Sequence, residues 1–358
     1  MLSVALTSVV SLSVGADAAE DTWTYKANMP TARGFVSGCV LDGRLYLVGG
    51  FPSHYSVTAA VEMYDPATDT WTKMANLPAG RCGHATCALD GKIYVFGGTS
   101  PDPYAAAQKN VYVYDPETNT WMPKADMPYA IALCGVAVVD GMIYLVGGTL
   151  SASSSAVATL MAYDPVTESW VRRADMPTAR AYLSACSVDG KIYAIGGAQN
   201  YQTPPYGNVE VYDPATNTWT RQSDMPTARA GVSTCVVDSK IYACGGFSST
   251  GVHTANELYD PIADIWMAKT PMQQKRLVPF AGSVGNRIYV IGGSYPDSQG
   301  QPVILFTTEA DGGDPGYTGD GAQEQPRGAT DIVHCHHGWV LAPGRCRPGW
   351  RGPDSLCG

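Results

Sequence analysis

Five arginines, Arg33, Arg81, Arg180, Arg229 and Arg276, stand at one recurring place in the sequence, and Ile131 takes the sixth. Gathered round one opening, their planar guanidinium forks would grip carboxylates through paired hydrogen bonds. A repeated arginine can equally serve the scaffold by donating to backbone carbonyls, and the residue types alone allow both roles. Five tyrosines, Tyr55, Tyr104, Tyr201, Tyr206 and Tyr295, fall in segments of variable length and composition. Their rings offer stacking faces for a sugar or a peptide. Glu62, Glu210 and Glu257 have the right type for general acid or base work. Within the repeats His54, His84 and His253 fall in three different units, which gives neither a three-His zinc site nor a His-x-x-x-His pattern, so no metal and no cofactor is expected.

The elements that must position these residues recur. Gly-Gly pairs end at Gly50, Gly98, Gly148, Gly197, Gly246 and Gly293, in steps of 48, 50, 49, 49 and 47 residues. Trp23, Trp71, Trp121, Trp170, Trp219 and Trp266 step identically, and Tyr64, Tyr114, Tyr163, Tyr212 and Tyr259 each precede a Trp by seven. A period of this length signals a propeller, solenoid or array. Short apolar runs such as Leu45–Val48 and Ile93–Phe96 read as strands covered on both faces. Asp-Gly before each run at Asp42, Asp90, Asp140 and Asp189 predicts a tight hairpin, with Asp238-Ser239 and Gly285-Asn286 as softer versions. Each unit is then four antiparallel strands.

Gly-Gly after an apolar strand, Tyr-Asp-Pro, and Trp at a fixed offset resemble the kelch repeat, over residues 20 to about 310. That resemblance implies an all-β, six-bladed kelch β-propeller with four antiparallel strands per blade. A single sheet of this kind exposes two apolar faces and is stable only when stacked on neighbours. The sixth unit supplies two strands over 280–293 and a third over 303–309, with Phe306 in place of Tyr, but no Trp strand. The orphan segment Thr22 to Lys26 is the missing piece, so the last blade is expected to be closed by the N-terminal strand.

This strand order puts the loops after Gly-Gly and the blade connections on one face, with the short turns on the other. Variable loops on a rigid scaffold are where binding is expected. The leading reading is a non-enzymatic propeller that binds a protein or glycan partner through the long-loop face, using the five arginines and five tyrosines. The competing reading follows from the resemblance, because an exported sialic acid mutarotase shares the kelch fold and blade count. Its chemistry would need an acid or base over the channel, for which Glu62, Glu210 and Glu257 qualify by type only. Copper radical oxidases of the galactose oxidase type also share the fold, yet their His and Tyr ligands have no counterpart here. The repeated Trp, Tyr and Gly-Gly are read as scaffold.

Residues 1–19 read as a signal peptide, apolar and ending in small residues, which predicts a secreted or periplasmic protein with no membrane span in the mature chain. A net charge of −9 argues against nucleic acid as a partner. Cys39, Cys87, Cys186 and Cys235 occupy equivalent positions that the repeat holds apart, so reduced structural thiols are expected rather than disulfides. Residues 311–358 turn to Gly, Pro, Asp and Arg and read as a disordered tail. A monomer is expected.

Overall fold

A computed structural model describes residues 22–53, 56–100, 106–150, 155–312 and 333–334. Six four-stranded antiparallel sheets form the blades of a propeller. Their first strands, Ser37–Leu41, Ala85–Leu89, Gly135–Val139, Ser184–Val188, Ser233–Val237 and Phe280–Val284, line the channel and number blades one to six here. Within blades one to five the strands pair in sequence order. No helix long and apolar enough to cross a membrane occurs among the described residues.

The local chemistry follows the repeat. At Asp42-Gly43 both residues take positive φ (51° and 70°), the requirement of a type I′ hairpin. Asp238-Ser239 adopts the same shape at 48° and 57° without a glycine. The apolar second strands are fully enclosed, with Leu45, Leu47 and Val48 at zero exposure, because each blade face is covered by its neighbour. The second glycine of each Gly-Gly pair donates its N–H to a carbonyl of the following connection: Gly50 to Arg81, Gly148 to Arg180, Gly293 to Arg33, at 2.8, 2.8 and 3.0 Å. A Cβ on Gly50 would meet the Gly34 carbonyl at 2.8 Å, which explains the glycine.

The Tyr and Trp of each unit stack at 4.7 to 5.2 Å between ring centroids. A carboxylate or amide five residues after Tyr rivets blades together. In blade one Asp69 accepts from Tyr64 Oη at 2.6 Å and from the Ala27 N–H at 2.8 Å, while Trp71 Nε1 donates to the Ala27 carbonyl. Asn119, Asn217 and Asp264 repeat this. Blade three has Glu168 instead, whose longer arm reaches Lys124 at 2.6 Å, and Tyr163 Oη and Trp170 Nε1 are left buried without partners. Glu168→Asn should therefore restore the rivet. The exposed ion pair it removes is worth little, and the melting temperature should rise by about 2 °C; an unchanged melt would show that the rivet does not stabilise the seam.

The sixth blade is closed as expected. Trp23–Lys26 pairs with Thr308–Asp311 in the register Trp23↔Asp311 to Lys26↔Thr308. The third strand differs from the sequence expectation of 303–309, because Pro302–Ile304 instead pairs with Ser294–Pro296 in a separate hairpin. Asp311, not Phe306, takes the position held by Tyr elsewhere, and it accepts the Ile288 N–H at 2.7 Å. Beyond this, Val333–His334 pairs with Pro302–Ile304. The rest of the expected tail and the expected signal peptide lie outside the described residues. Cys39, Cys82, Cys87, Cys134, Cys186, Cys235 and Cys244 are all free thiols.

Candidate functional site

The five arginines are not at the channel mouth. Arg33, Arg81, Arg180, Arg229 and Arg276 are at most 1% exposed, the largest fully buried side chains among the described residues. Each ties a blade connection to its own blade. Arg33 donates to the carbonyls of Gly49 (3.0 Å) and Ala60 (2.9 Å) and pairs with Glu62 at 2.7 Å. Arg180 pairs with Glu210 at 2.9 Å, Arg229 with Glu257 at 2.7 Å and Arg276 with Glu309 at 2.8 Å. Burial lowers the guanidinium pKa values and the paired carboxylates oppose that shift. The second carboxylate oxygen accepts from Thr31, Thr178 or Thr227 in three of these networks. The two sets of candidates, arginines for binding and glutamates for acid-base work, are thus each other's partners. Neither is free for a ligand.

Blades two and three show how the network is dismantled. Arg81 faces Tyr112 where the others have Glu, with its guanidinium carbon 4.9 Å from the ring centroid. Ile131 is accompanied by Met161 at the carboxylate position, both buried. Arginine and glutamate vanish together.

The long-loop face instead carries an aromatic mouth, a cavity of about 320 Å³. Phe35 and Phe51 from blade one lie 5.1 Å apart, and Tyr201 and Phe247 from blades four and five are also 5.1 Å apart. Phe35 meets Tyr182 edge-on at 6.4 Å. Blades one and four are opposite in a ring of six, so these two rings meet across the axis. A second cavity of about 460 Å³ runs between the first strands. Phe35, Gly83, Leu133 and Tyr182 line both spaces, and so form the septum between channel and mouth.

The septum is held by backbone. The residue two after the Arg position is Phe35, Gly83, Leu133, Tyr182, Gly231 or Val278, and all six have φ between 46° and 62°. The amides of the last five donate in turn to the carbonyl of the preceding blade's equivalent, from Gly83 to Phe35 through to Val278 to Gly231. This collar encircles the axis except between blades six and one. Left-handed backbone costs a side-chain-bearing residue roughly 1 to 2 kcal/mol, and glycine at Gly83 and Gly231 avoids that cost.

Of the five tyrosines expected to stack on a ligand, Tyr201 belongs to the aromatic cluster and Tyr295 lines the mouth beneath Lys275, whose Nζ lies 5.2 Å from its ring centroid. Tyr206 is half-buried, holds its N–H on the Gly197 carbonyl, and is not part of the mouth. Tyr55 and Tyr104 lie outside the described residues. Phe35, Phe51, Tyr182 and Phe247 were not singled out by sequence. For Phe35 and Tyr182 a signal is present in the sequence, since their repeat position alternates between glycine and bulky residues, which marks positive φ; Phe51 and Phe247 directly follow Gly-Gly pairs. Burial pushes the Tyr182 phenol up to about 12, so it is a neutral hydroxyl at physiological pH. No carboxylate lines the mouth or the channel among the described residues. No group of three or more His, Cys, Asp or Glu among them is placed to hold a metal.

The family model of the Attractin/LZTR1 β-propeller matches residues 17–255. The chain belongs to that family. The match covers the N-terminal closing strand, blades one to four and the first two strands of blade five, and the rest of the ring follows the same plan in the structure. The solved structure of YjhT is similar at a TM-score of 0.68 and 19% identity, over 79% of this chain and 95% of that one. At that identity the likeness is one of fold. No curated protein sequence matches.

Proposed function

We propose that the chain is an exported, non-catalytic kelch propeller that binds a protein or glycan partner through its long-loop face, with the aromatic mouth as the contact surface. The observation that carries this reading is the strain at Phe35, Leu133 and Tyr182. Two blades use glycine at that position, so the scaffold does not need bulk there. Three others keep large side chains in left-handed backbone, at φ of 47°, 57° and 56°, and thereby line the mouth with them. Strain of this kind concentrates where a surface is shaped for a ligand. The sugar-processing alternative needs a proton donor or acceptor at the mouth, and Glu62, Glu210 and Glu257 are each held by a buried arginine.

The reading is tested by glycan and peptide arrays probed with the full chain. Tyr201→Ala and Phe247→Ala should each weaken capture of the selected ligand by about tenfold, with the melting temperature nearly unchanged. Undiminished binding in both variants would move the site away from the mouth. Catalytic turnover of an acidic sugar by the same preparation would restore the enzymatic reading.

A further inference from the structure

His84 is a departure from its own repeat. The equivalent residues are Val36, Cys134, Leu183, Val232 and Pro279, so the seat is built for an apolar side chain. His84 is 5% exposed, lines the channel, and neither ring nitrogen meets hydrogen-bond geometry. Two positions on, Thr86 is also buried, with its hydroxyl unpartnered. The imidazole packs toward blade one, where a Cβ on Gly49 would meet its ring carbon at 2.7 Å.

Two further features weaken the same seam. The collar bond from Gly83 to Phe35 is 3.5 Å, against 2.7 to 3.0 Å for the other four. Arg81, in the connection that crosses from blade one to blade two, has no carboxylate and one backbone carbonyl within 3.0 Å, where Arg33 and Arg180 each have two and a glutamate. The seam between blades six and one lacks a collar bond too, but there the Phe280 ring packs over Gly38 and Arg33 retains Glu62.

We infer that the seam between blades one and two is an acid-sensitive joint, with His84 as its trigger, and that its opening withdraws Phe35 from Tyr182 and so regulates the mouth. The regulatory half rests on the proposal that the mouth is the contact surface; the joint itself does not. The charged groups acting on the imidazole are cationic Arg81 of its own connection and Arg33 of blade one, the latter paired with Glu62, while the Val48 carbonyl favours the charged form weakly. Burial, then Arg81, then Arg33, hold His84 down to about 3, against about 6.5 for a freed imidazole. The open seam therefore binds the proton and the closed seam does not. Closure is fully stable above the free value and is lost progressively as pH falls toward the buried one.

The joint is tested without any ligand, by the reaction of channel thiols with 4,4′-dithiodipyridine followed by peptide mapping. Cys39 and Cys87 lie in the first strands on either side of this seam, and Cys235 lies on blade five as a control. Between about pH 7 and about pH 5 the open fraction should rise by about 25-fold. Cys39 and Cys87 should gain reactivity by that factor relative to Cys235, and His84→Val should abolish the gain. His84→Leu provides the same test should the valine variant fold poorly. Equal acceleration at Cys235, or a gain that survives both substitutions, would overturn the joint. A selective gain with unaltered capture of the array-selected ligand in acid would keep the joint and remove its link to the mouth.

Discussion

Removal of residues 21–26 should abolish cooperative unfolding and leave an aggregating protein. The strand Trp23–Lys26 is the outer strand of blade six, and nothing else in the blade can take its place. Trp23 is 4% exposed, donates its indole N–H to the Thr270 carbonyl at 2.9 Å, and accepts a hydrogen bond from the Gln273 side chain at its own carbonyl. Deleting it uncovers the whole edge of Thr308–Asp311, a strand whose four residues are all buried in the intact protein. An unpaired edge next to an opened apolar seam is a template for association. The loss also removes the β-ladder that ties the two ends of the propeller together, leaving only single backbone bonds such as Met29 to Phe306, Arg33 to Leu305 and Gly293 to Arg33 to hold the ring among the described residues. Size-exclusion chromatography and a thermal melt of the truncated chain check this, and a monomer with the parent's single transition would mean that closure does not depend on this strand.

The fold was legible because its signals are local and repeated. Asp42-Gly43 dictates a hairpin, Tyr64 and Trp71 lie opposite each other by strand register, and the orphan Trp23 announces its missing partners. The error at 303–309 arose where repetition fails: an apolar run, Val303 to Leu305, continues the pattern of a third strand but is spent on a hairpin at the mouth. The site was less legible for a different reason. Arg33 and Glu62 are 29 residues apart and suggest separate roles in the sequence, one as a ligand contact and one as an acid, although their side chains meet at 2.7 Å. The joint loss of both types in the third unit was the clue that they form a pair. Phe35 and Tyr182 are harder still, since only closure of the ring brings blades one and four face to face.

That joint loss leads to the second large effect. Arg180→Ala should destabilise the protein by about 3 to 5 kcal/mol, because it leaves Glu210 as a buried, uncompensated charge and strands the carbonyls of Gly196 and Asn208. Glu210→Ala should cost a similar amount by leaving Arg180 unpaired. Blade three shows the way back: Ile131 and Met161 fill the same two positions with apolar side chains, and Ile131 joins the core with Phe96 and Val111. Replacing a buried ion pair by well-packed apolar residues is often close to neutral. The double variant Arg180→Ile with Glu210→Met should therefore recover most of the loss, the two changes being strongly non-additive. Denaturant unfolding of the two single variants and the double variant measures that coupling directly. A scaffold pair predicts two unstable single variants and a rescued double one. An arginine kept for a ligand predicts single variants that unfold like the parent and lose binding, an outcome that the zero exposure of Arg180 and its bonds to the Gly196 and Asn208 carbonyls argue against.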